Sequence, residues 1–217
     1  MIFMARLPRI VVPHCPHHVT QRGNRRQQTF FRDDDYLYYI EQLRIHCVRY
    51  SVSILAYCLM PNHIHLVVVP AKEKALRMAI GLTHQSHSKF INYRNNWQGY
   101  LWQGRFFSVP MDDEHTNTCI PYVEDNPVRA GLADHPWDYR WSSANARYTG
   151  HDDPLVAGEY LRSSPIDKKW CREDTETAKQ IDLIKSYSRT GRPIGSDRFT
   201  ASIERQTNIR LKLRKRI

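Results

Sequence analysis

The feature that most constrains the fold is a pair of apolar segments separated by a two-residue turn signal. SVSILAYCLM (residues 51–60) is rich in β-branched and aromatic residues, and HIHLVVV (residues 63–69) repeats that character after Pro61-Asn62. Short apolar runs bounded by turn residues are typical of strands. Because a two-residue connection joins antiparallel neighbours, the chain is predicted to build an antiparallel sheet around this hairpin.

The segments around the hairpin predict the remaining elements of the domain. A strand is expected at HHVTQRG (17–23), and another at YLWQGRFFSVP (100–110). Three helices are predicted from apolar spacing and acidic starts. The first covers DDDYLYYIEQLRIHCVRY and has Leu37, Ile40, Leu43 and Cys47 on its apolar face. The second covers residues 73–95, with Leu76, Ile80, His84, His87 and Ile91 near one face. The third begins at Asp112-Asp113-Glu114 and ends near Asn126-Pro127, since a residue before proline disfavours the helical conformation.

The resulting order is β-α-β-β-α-β followed by a further helix. This is the split βαβ, ferredoxin-like pattern of an α+β domain, an antiparallel sheet with helices on one face. We expect that domain to cover residues 1–152. Residues 153–217 are polar, include RTGRPIGSD, and are predicted to form a separate basic, helical C-terminal extension.

The net charge of +10 is concentrated at the two ends of the chain. Residues 1–27 carry +5 and residues 189–217 carry +7, which leaves −2 for residues 28–188. Basic ends of this kind favour a polyanionic partner such as nucleic acid. For the final LKLRKRI alone, a solvated tail is an equally good interpretation. A membrane-surface role is less favoured, because the tail lacks an amphipathic face with aromatic residues.

Cysteine usage and hydropathy indicate the cellular compartment of the protein. The five cysteines are scattered and form no CxxC pair, which argues against a disulfide framework and a cysteine zinc site. The N-terminal segment MIFMARLPRIVVP has arginine and proline where the apolar part of a signal peptide would lie. The longest apolar run, ILAYCLM, is too short to cross a bilayer. We therefore expect a soluble, cytoplasmic protein with reduced cysteines.

The hairpin carries the first candidate for chemistry, because its second strand begins with two histidines. His63 and His65 are two positions apart on a strand, so their side chains point to the same face. Two neighbouring imidazoles can bind a divalent metal. Two incidental histidines remain the alternative, because an isolated HxH pattern is weak. The residues after the pair fit neither an HxHxDH hydrolase nor a cupin.

The helix ending in CIPYVEDNPVRAGL could supply a further ligand and a nucleophile. Tyr122 and Asn126 are four residues apart and share a helical face. A tyrosine phenol beside a metal-bound phosphate can act as a covalent nucleophile. Tyr38 and Gln42 have the same spacing on the first helix, so spacing alone does not select between the two pairs.

A family resemblance rests on five segments that occur in order. They are HVTQRGN, LAYCLMPNHIHLVV, LWQGRFFS, YVEDNPVRAGL and DYRWSSA. Together they resemble the single-tyrosine HUH, or IS200-like, transposases, in which HUH denotes histidine, a hydrophobic residue and histidine. Within that superfamily the chain is most similar to the REP-associated tyrosine transposases. The resemblance covers residues 9–150, and RTGRPIGSD resembles a C-terminal segment of that group.

The resemblance implies a complete catalytic centre. His63 and His65 match the metal-binding histidines, Tyr122 matches the nucleophile, and Asn126 stands where the family uses an amide ligand. It implies metal-dependent cleavage and transfer of single-stranded hairpin DNA through a 5′-phosphotyrosine, with Mg²⁺ or Mn²⁺ as cofactor and no small-molecule substrate. Pro121 counts against carrying the nucleophile role over to Tyr122, because a proline inside a helix can kink it. If the kink misplaces Tyr122, the alternative is a non-catalytic protein that binds repeat hairpins.

Candidate DNA contacts follow the first strand and lie on the predicted fourth strand, which contains Arg105. Arginine can bind phosphate or read guanine, although each of these residues could equally be an ordinary surface residue. The candidates are Arg22, Asn24, Arg25, Arg26 and Arg105. The resemblance to the REP-associated group favours a monomer, and a dimer with shared sites is the alternative. A replication-initiator type of nickase is disfavoured, because the chain has no room for the additional segments of such proteins.

Overall fold

A four-stranded antiparallel sheet forms the centre of the fold in the computed structural model, which describes residues 9–163 and 175–211. The strands are β1 (His17–Arg22), β2 (Val52–Met60), β3 (His63–Pro70) and β4 (Phe107–Pro110). Their order across the sheet is β2-β3-β1-β4, and every neighbouring pair is antiparallel. This order confirms the predicted hairpin and the α+β, ferredoxin-like architecture.

Eight α-helices accompany these strands in the described ranges. They are α1 (Asp33–Tyr50), α2 (Ala75–Asn95), α3 (Asp113–Glu124), α4 (Asn126–Arg129), α5 (Ala144–Thr149), α6 (Gly158–Ser163), α7 (Thr175–Thr190) and α8 (Asp197–Thr207). Short 3₁₀ turns lie at Asn24–Arg26 and Pro136–Asp138. None of the described helices combines the length and apolar character needed to span a membrane.

Helices cover both faces of the sheet, whereas the sequence predicted helices on one face only. One face packs against α1 and α2, which contribute Tyr39 and Leu76 to the same apolar cluster as Ile64 and Leu66 of β3. The opposite face packs against α3 and α7, where Val67 joins a second cluster. Since strand side chains alternate, His63 and His65 point to the second face, beneath α3.

The buried face of α1 and the length of the fourth strand differ from the prediction. The buried face of α1 is formed by Tyr36, Tyr39, Leu43 and Cys47, whereas Leu37 is 48% exposed, because large aromatic rings fill the core at this helix. The fourth strand is also shorter than predicted. Gly104 adopts a positive φ of 67° and turns the chain, so residues 101–106 keep only an isolated bridge between Trp102 and Gly23. All five residues predicted for the apolar face of α2 are buried.

The C-terminal segment contacts the sheet and α3. Ile184 of α7 is fully buried in the second apolar cluster, and Ile194 forms a bridge with Met111 just after β4. Asp112 caps α3 by accepting a hydrogen bond from the backbone of His115, and it also accepts one from the backbone of Ser196. The division into 1–152 and 153–217 remains a prediction. Residues 1–8 and 212–217, which hold five of the fourteen lysines and arginines of the terminal segments 1–27 and 189–217, lie outside the described residues.

Candidate active site

The two histidines of β3 lie beside each other with their ring centroids 5.1 Å apart. Each Nδ1 is engaged by a neighbour: that of His63 lies 2.5 Å from Asn62 Oδ1, and that of His65 lies 3.0 Å from His18 Nε2. Metal-binding histidines commonly have one ring nitrogen fixed in this way, which directs the other nitrogen to the ion. The two Nε2 atoms are therefore the natural ligand atoms.

His18 is a site residue that sequence analysis did not assign. It lies on β1, where it pairs with Val67, and its ring is stacked on His65 with centroids 5.3 Å apart. The side chain is almost fully buried. The alternation of β1 places His18 on a definite face, but only the register with β3 brings it to His65.

Tyr122 lies on α3 directly above the histidines. Its ring meets those of His18 and His65 edge-on, with both centroid distances at 6.0 Å. Helix α3 runs from Asp113 to Glu124 without interruption at Pro121, so the tyrosine is presented from regular helix. Tyr38, the tyrosine with equivalent spacing, instead stacks on Phe90 at the α1–α2 side of the sheet.

Arg129 is a second residue that sequence analysis did not assign. Its guanidinium carbon lies 4.5 Å from the centroid of the Tyr122 ring, and it donates a hydrogen bond to the Tyr122 carbonyl oxygen at 2.7 Å. Asp125 accepts another hydrogen bond from Arg129 and holds it in place. The spacing of seven residues, about two helical turns, was the signal that could have indicated this contact.

Burial dominates the electrostatics of the centre. It lowers the pKa of His63 to about 4, with Arg22 contributing, and it lowers the pKa of His65 well below the ordinary value of 6.5. Both imidazoles are therefore neutral at pH 7, which is the form that binds metals. Burial raises the pKa of the Tyr122 phenol, whereas the nearby Arg129 acts to lower it.

Asn126 has the geometry of a ligand that presents oxygen. Its amide nitrogen donates to the carbonyl oxygens of Tyr122 and Val123, at 3.0 and 3.1 Å. The amide nitrogen is thus bonded to the helix backbone, and Asn126 lines the cavity. Within the described residues, no group of three His, Cys, Asp or Glu side chains could hold a metal. Two imidazoles and an amide oxygen fit a small divalent cation, and this assignment of ligands remains a prediction.

The predicted ligands and the tyrosine open into one cavity of about 460 Å³. Arg22 of β1 contributes a positive charge to its wall, and its contact with DNA remains a prediction. Lys185 of α7 also lines the cavity, and no sequence signal indicated it. The full lining consists of Thr20, Gln21, Arg22, His63, His65, Gln103, Phe107, Tyr122, Asn126 and Lys185.

The other predicted DNA-binding residues lie outside this cavity. Arg25 and Arg26 are exposed on the 3₁₀ turn and adopt positive φ angles of 52° and 64°, and Asn24 precedes them. Arg105 is exposed and lines a different cavity. Their contacts with DNA remain predictions.

Comparison with known proteins identifies the family. The family model described as "Transposase IS200 like" matches residues 11–126, which is more than half of the chain and includes β1 to α3. The chain therefore belongs to the IS200-like transposase family. This confirms the resemblance drawn from the five sequence segments.

The chain is also similar to one curated protein and to one solved structure. A Haemophilus influenzae protein named as a REP-associated tyrosine transposase is 30% identical over 108 residues, which are 45% of this chain and 61% of the relative. The chain thus spans less than two thirds of that curated relative. A REP-associated tyrosine transposase solved in complex with a REP hairpin has 18% identity and a TM-score of 0.55, covering 76% of this chain and 98% of that one. The structural match supports the shared fold.

Proposed function

We propose that the protein is a metal-dependent single-stranded DNA endonuclease and strand transferase that acts on REP-like hairpin DNA through a 5′-phosphotyrosine. The observation that carries this proposal is the convergence of Tyr122, His63, His65 and Asn126 on one cavity. The hairpin substrate is inferred from the REP-associated transposase of the same fold that was solved bound to a REP hairpin. DNA is the expected partner of a chain with a net charge of +10.

The proposed reaction exchanges one phosphodiester for another. The phenolic oxygen of Tyr122 attacks the scissile phosphorus and loses its proton as the new bond forms. The bond from phosphorus to the 3′ oxygen breaks, and that oxygen takes up a proton to become a free 3′-hydroxyl. The 5′ end remains attached to the tyrosine. Because the ester energy is retained, joining to a second 3′-hydroxyl needs no nucleotide cofactor.

The chain's own residues prepare the tyrosine for this attack. Burial keeps the phenol protonated at rest, since it raises the pKa of Tyr122. The guanidinium of Arg129 lies over the ring and favours the negative charge that develops on the oxygen. Arg22 and Lys185 are placed to attract the phosphate into the cavity.

We propose His63, His65 and Asn126 as the ligands of a bound Mg²⁺ or Mn²⁺. When bound, the cation would polarise the phosphoryl oxygen and offset its negative charge. The three ligands and Tyr122 come from a single chain, so we further propose that a monomer is competent for cleavage.

The test is formation of a covalent adduct with a labelled REP-like hairpin oligonucleotide in the presence of Mn²⁺. The wild type should give a denaturation-resistant protein–DNA band, and Tyr122→Phe should abolish it. Tyr38→Phe is the matched control, because this tyrosine lies at the α1–α2 side of the sheet. It should form the adduct normally.

Two outcomes would contradict the assignment. An adduct that persists in Tyr122→Phe but disappears in Tyr38→Phe would move the nucleophile to α1. Hairpin binding without an adduct in the wild type, at any Mn²⁺ or Mg²⁺ concentration, would establish the non-catalytic alternative.

A further inference from the structure

A second cavity, of about 590 Å³, lies beside the catalytic one. Its positive charge comes from Arg9, Arg77 and Arg105, and no aspartate or glutamate lines it. It is within the size range of cavities that bind small organic ligands. Leu101, Trp102 and Phe106 supply apolar surface to the same cavity. Its composition therefore favours an anionic ligand with an apolar part.

Contacts with the protein hold Arg9 in position. Arg9 donates a hydrogen bond to the Phe106 carbonyl oxygen at 2.9 Å, and its guanidinium lies 3.5 Å from the centroid of the Phe106 ring. Burial lowers the pKa of Arg9 to about 10, and the like charges of Arg105 and Arg77 contribute. Three guanidiniums that repel one another are stabilised by an anion placed among them.

An exposed aromatic ring stands at the same cavity. Tyr100 is 86% exposed, whereas the neighbouring Leu101 and Trp102 are buried. Large exposed rings next to a basic cavity are the usual platform for unpaired bases, because every base can stack on them. The cavity thus offers both elements of single-strand binding, a cationic site for phosphate and a ring for a base.

The segment from Trp102 to Phe107 is a common wall of the two cavities. Trp102, Arg105 and Phe106 line the second cavity, while Gln103 and Phe107 line the catalytic one. Hydrogen bonds fix this wall to β1: the backbone of Gln103 donates to the Arg22 carbonyl, and the Gln21 side chain donates to the Gly104 carbonyl. A strand that enters one cavity can therefore continue over the wall into the other.

We propose that the second cavity is a binding subsite for the single-stranded part of the DNA substrate. A backbone phosphate lies among Arg9, Arg77 and Arg105, and an unpaired base stacks on Tyr100. This inference rests on the proposed function, and it adds a site away from the scissile phosphate. The predicted DNA contact of Arg105 becomes part of that site.

Binding in EDTA tests the subsite without cleavage. The probe is a fluorescent oligothymidylate of about 12 nucleotides, within the usual range of single-strand sites. The double variant Arg77→Ala/Arg105→Ala should bind about tenfold or more weakly. Its plot of log affinity against log salt should be shallower by about 0.7 for each lost phosphate contact. Arg49→Ala, which removes an exposed arginine of α1, is the charge-matched control and should bind as the wild type.

Two matched pairs test the shape of the subsite. A Cβ at Gly81 would meet no atom within 4 Å, so Gly81→Ala should be tolerated, whereas Gly81→Phe should fill the cavity and weaken binding. Tyr100→Phe should preserve binding and Tyr100→Leu should weaken it, because only the first retains a ring for stacking. The ring is exposed, so neither change at this position removes core packing.

The proposal is overturned if the double variant binds like Arg49→Ala. It is also overturned if duplex DNA of the same sequence competes as well as the single strand and Tyr100→Leu binds normally, since the surface would then be a non-specific duplex contact. Displacement of the probe by millimolar inorganic phosphate alone would show that the cavity binds only anions, and this result would contradict the proposed subsite.

Failure of the subsite would leave the Tyr122 adduct at saturating DNA intact. Failure of the proposed catalysis would leave this binding measurable.

Discussion

At the scale of single residues, the contact between His18 and His65 fixes one of the two proposed metal ligands. The hydrogen bond between them ties up Nδ1 of His65, and the stacked rings restrict its rotation. The two residues lie on different strands and are 47 positions apart in the sequence. We therefore propose that His18 positions His65 and is not itself a ligand.

Replacing His18 by phenylalanine should lower the affinity for Mn²⁺ by about 10- to 100-fold. The ring stack is kept in this variant, but the hydrogen bond that fixes His65 is lost. Isothermal titration of the metal measures the effect, with retained circular dichroism as the check on folding. His135→Phe is the control, because His135 is exposed and only stacks on Trp137. Unchanged Mn²⁺ affinity in His18→Phe would refute the positioning role.

The sequence could predict residues whose relation is local, and it missed those brought together by pairing across the sheet. His63 and His65 share a face through strand alternation, and Tyr122 and Asn126 are one helical turn apart, as predicted. The contact of His18 with His65 depends on the register of β1 against β3, and that of Lys185 with the cavity on the docking of α7. Register and docking arise from long-range packing, which a local pattern does not encode.

At the scale of elements, α3 places the tyrosine and contains an internal proline. Pro121 has no N–H to donate to the carbonyl of Asn117, yet the helix continues, and the backbone of Asp125 donates to the Pro121 carbonyl at 2.9 Å. The chain thus tolerates a missing hydrogen bond one residue before Tyr122. The helix begins at Asp113, in agreement with the start predicted at Asp112-Asp113-Glu114.

Pro121→Ala should therefore raise the free energy of unfolding by about 1–3 kcal/mol, because alanine restores the missing hydrogen bond and favours the helix. Urea denaturation followed by circular dichroism measures the change. The variant should form the DNA adduct as the wild type does, since Tyr122 already projects from regular helix. A loss of stability in Pro121→Ala would mean that the proline ring makes packing contacts worth more than the restored hydrogen bond.

At the scale of the whole molecule, the interior contains neutral histidines whose burial the sequence indicated only in part. The spacing in α2 put His84 and His87 near the apolar face, and both are buried among Phe30, Tyr39 and Trp102. Burial lowers the pKa of His84 to about 3 and that of His87 to about 4. Such pKa values could not be predicted from sequence, because they depend on how completely the packed core excludes water.

These pKa values predict a loss of stability in mild acid. The unfolded chain binds a proton at each histidine near pH 6.5, whereas folded His87 stays neutral down to about pH 4. The contribution of each such histidine to the free energy of unfolding is therefore fully present above pH 6.5. It declines as the pH falls from 6.5 towards 4. Each such group contributes a slope of up to about 1.4 kcal/mol per pH unit.

His87→Gln isolates one of these contributions. His87 Nε2 lies 2.8 Å from the Thr29 carbonyl oxygen, and a glutamine amide can donate to the same oxygen without titrating. Among the charged groups around His87, Asp35 acts to raise its pKa and Arg94 to lower it, and both remain in the variant. Between pH 6.5 and 5 the wild type should lose about 2 kcal/mol more free energy of unfolding than His87→Gln. Urea titrations of both proteins at several pH values measure this difference, and parallel pH dependences would show that His87 is not held neutral by burial.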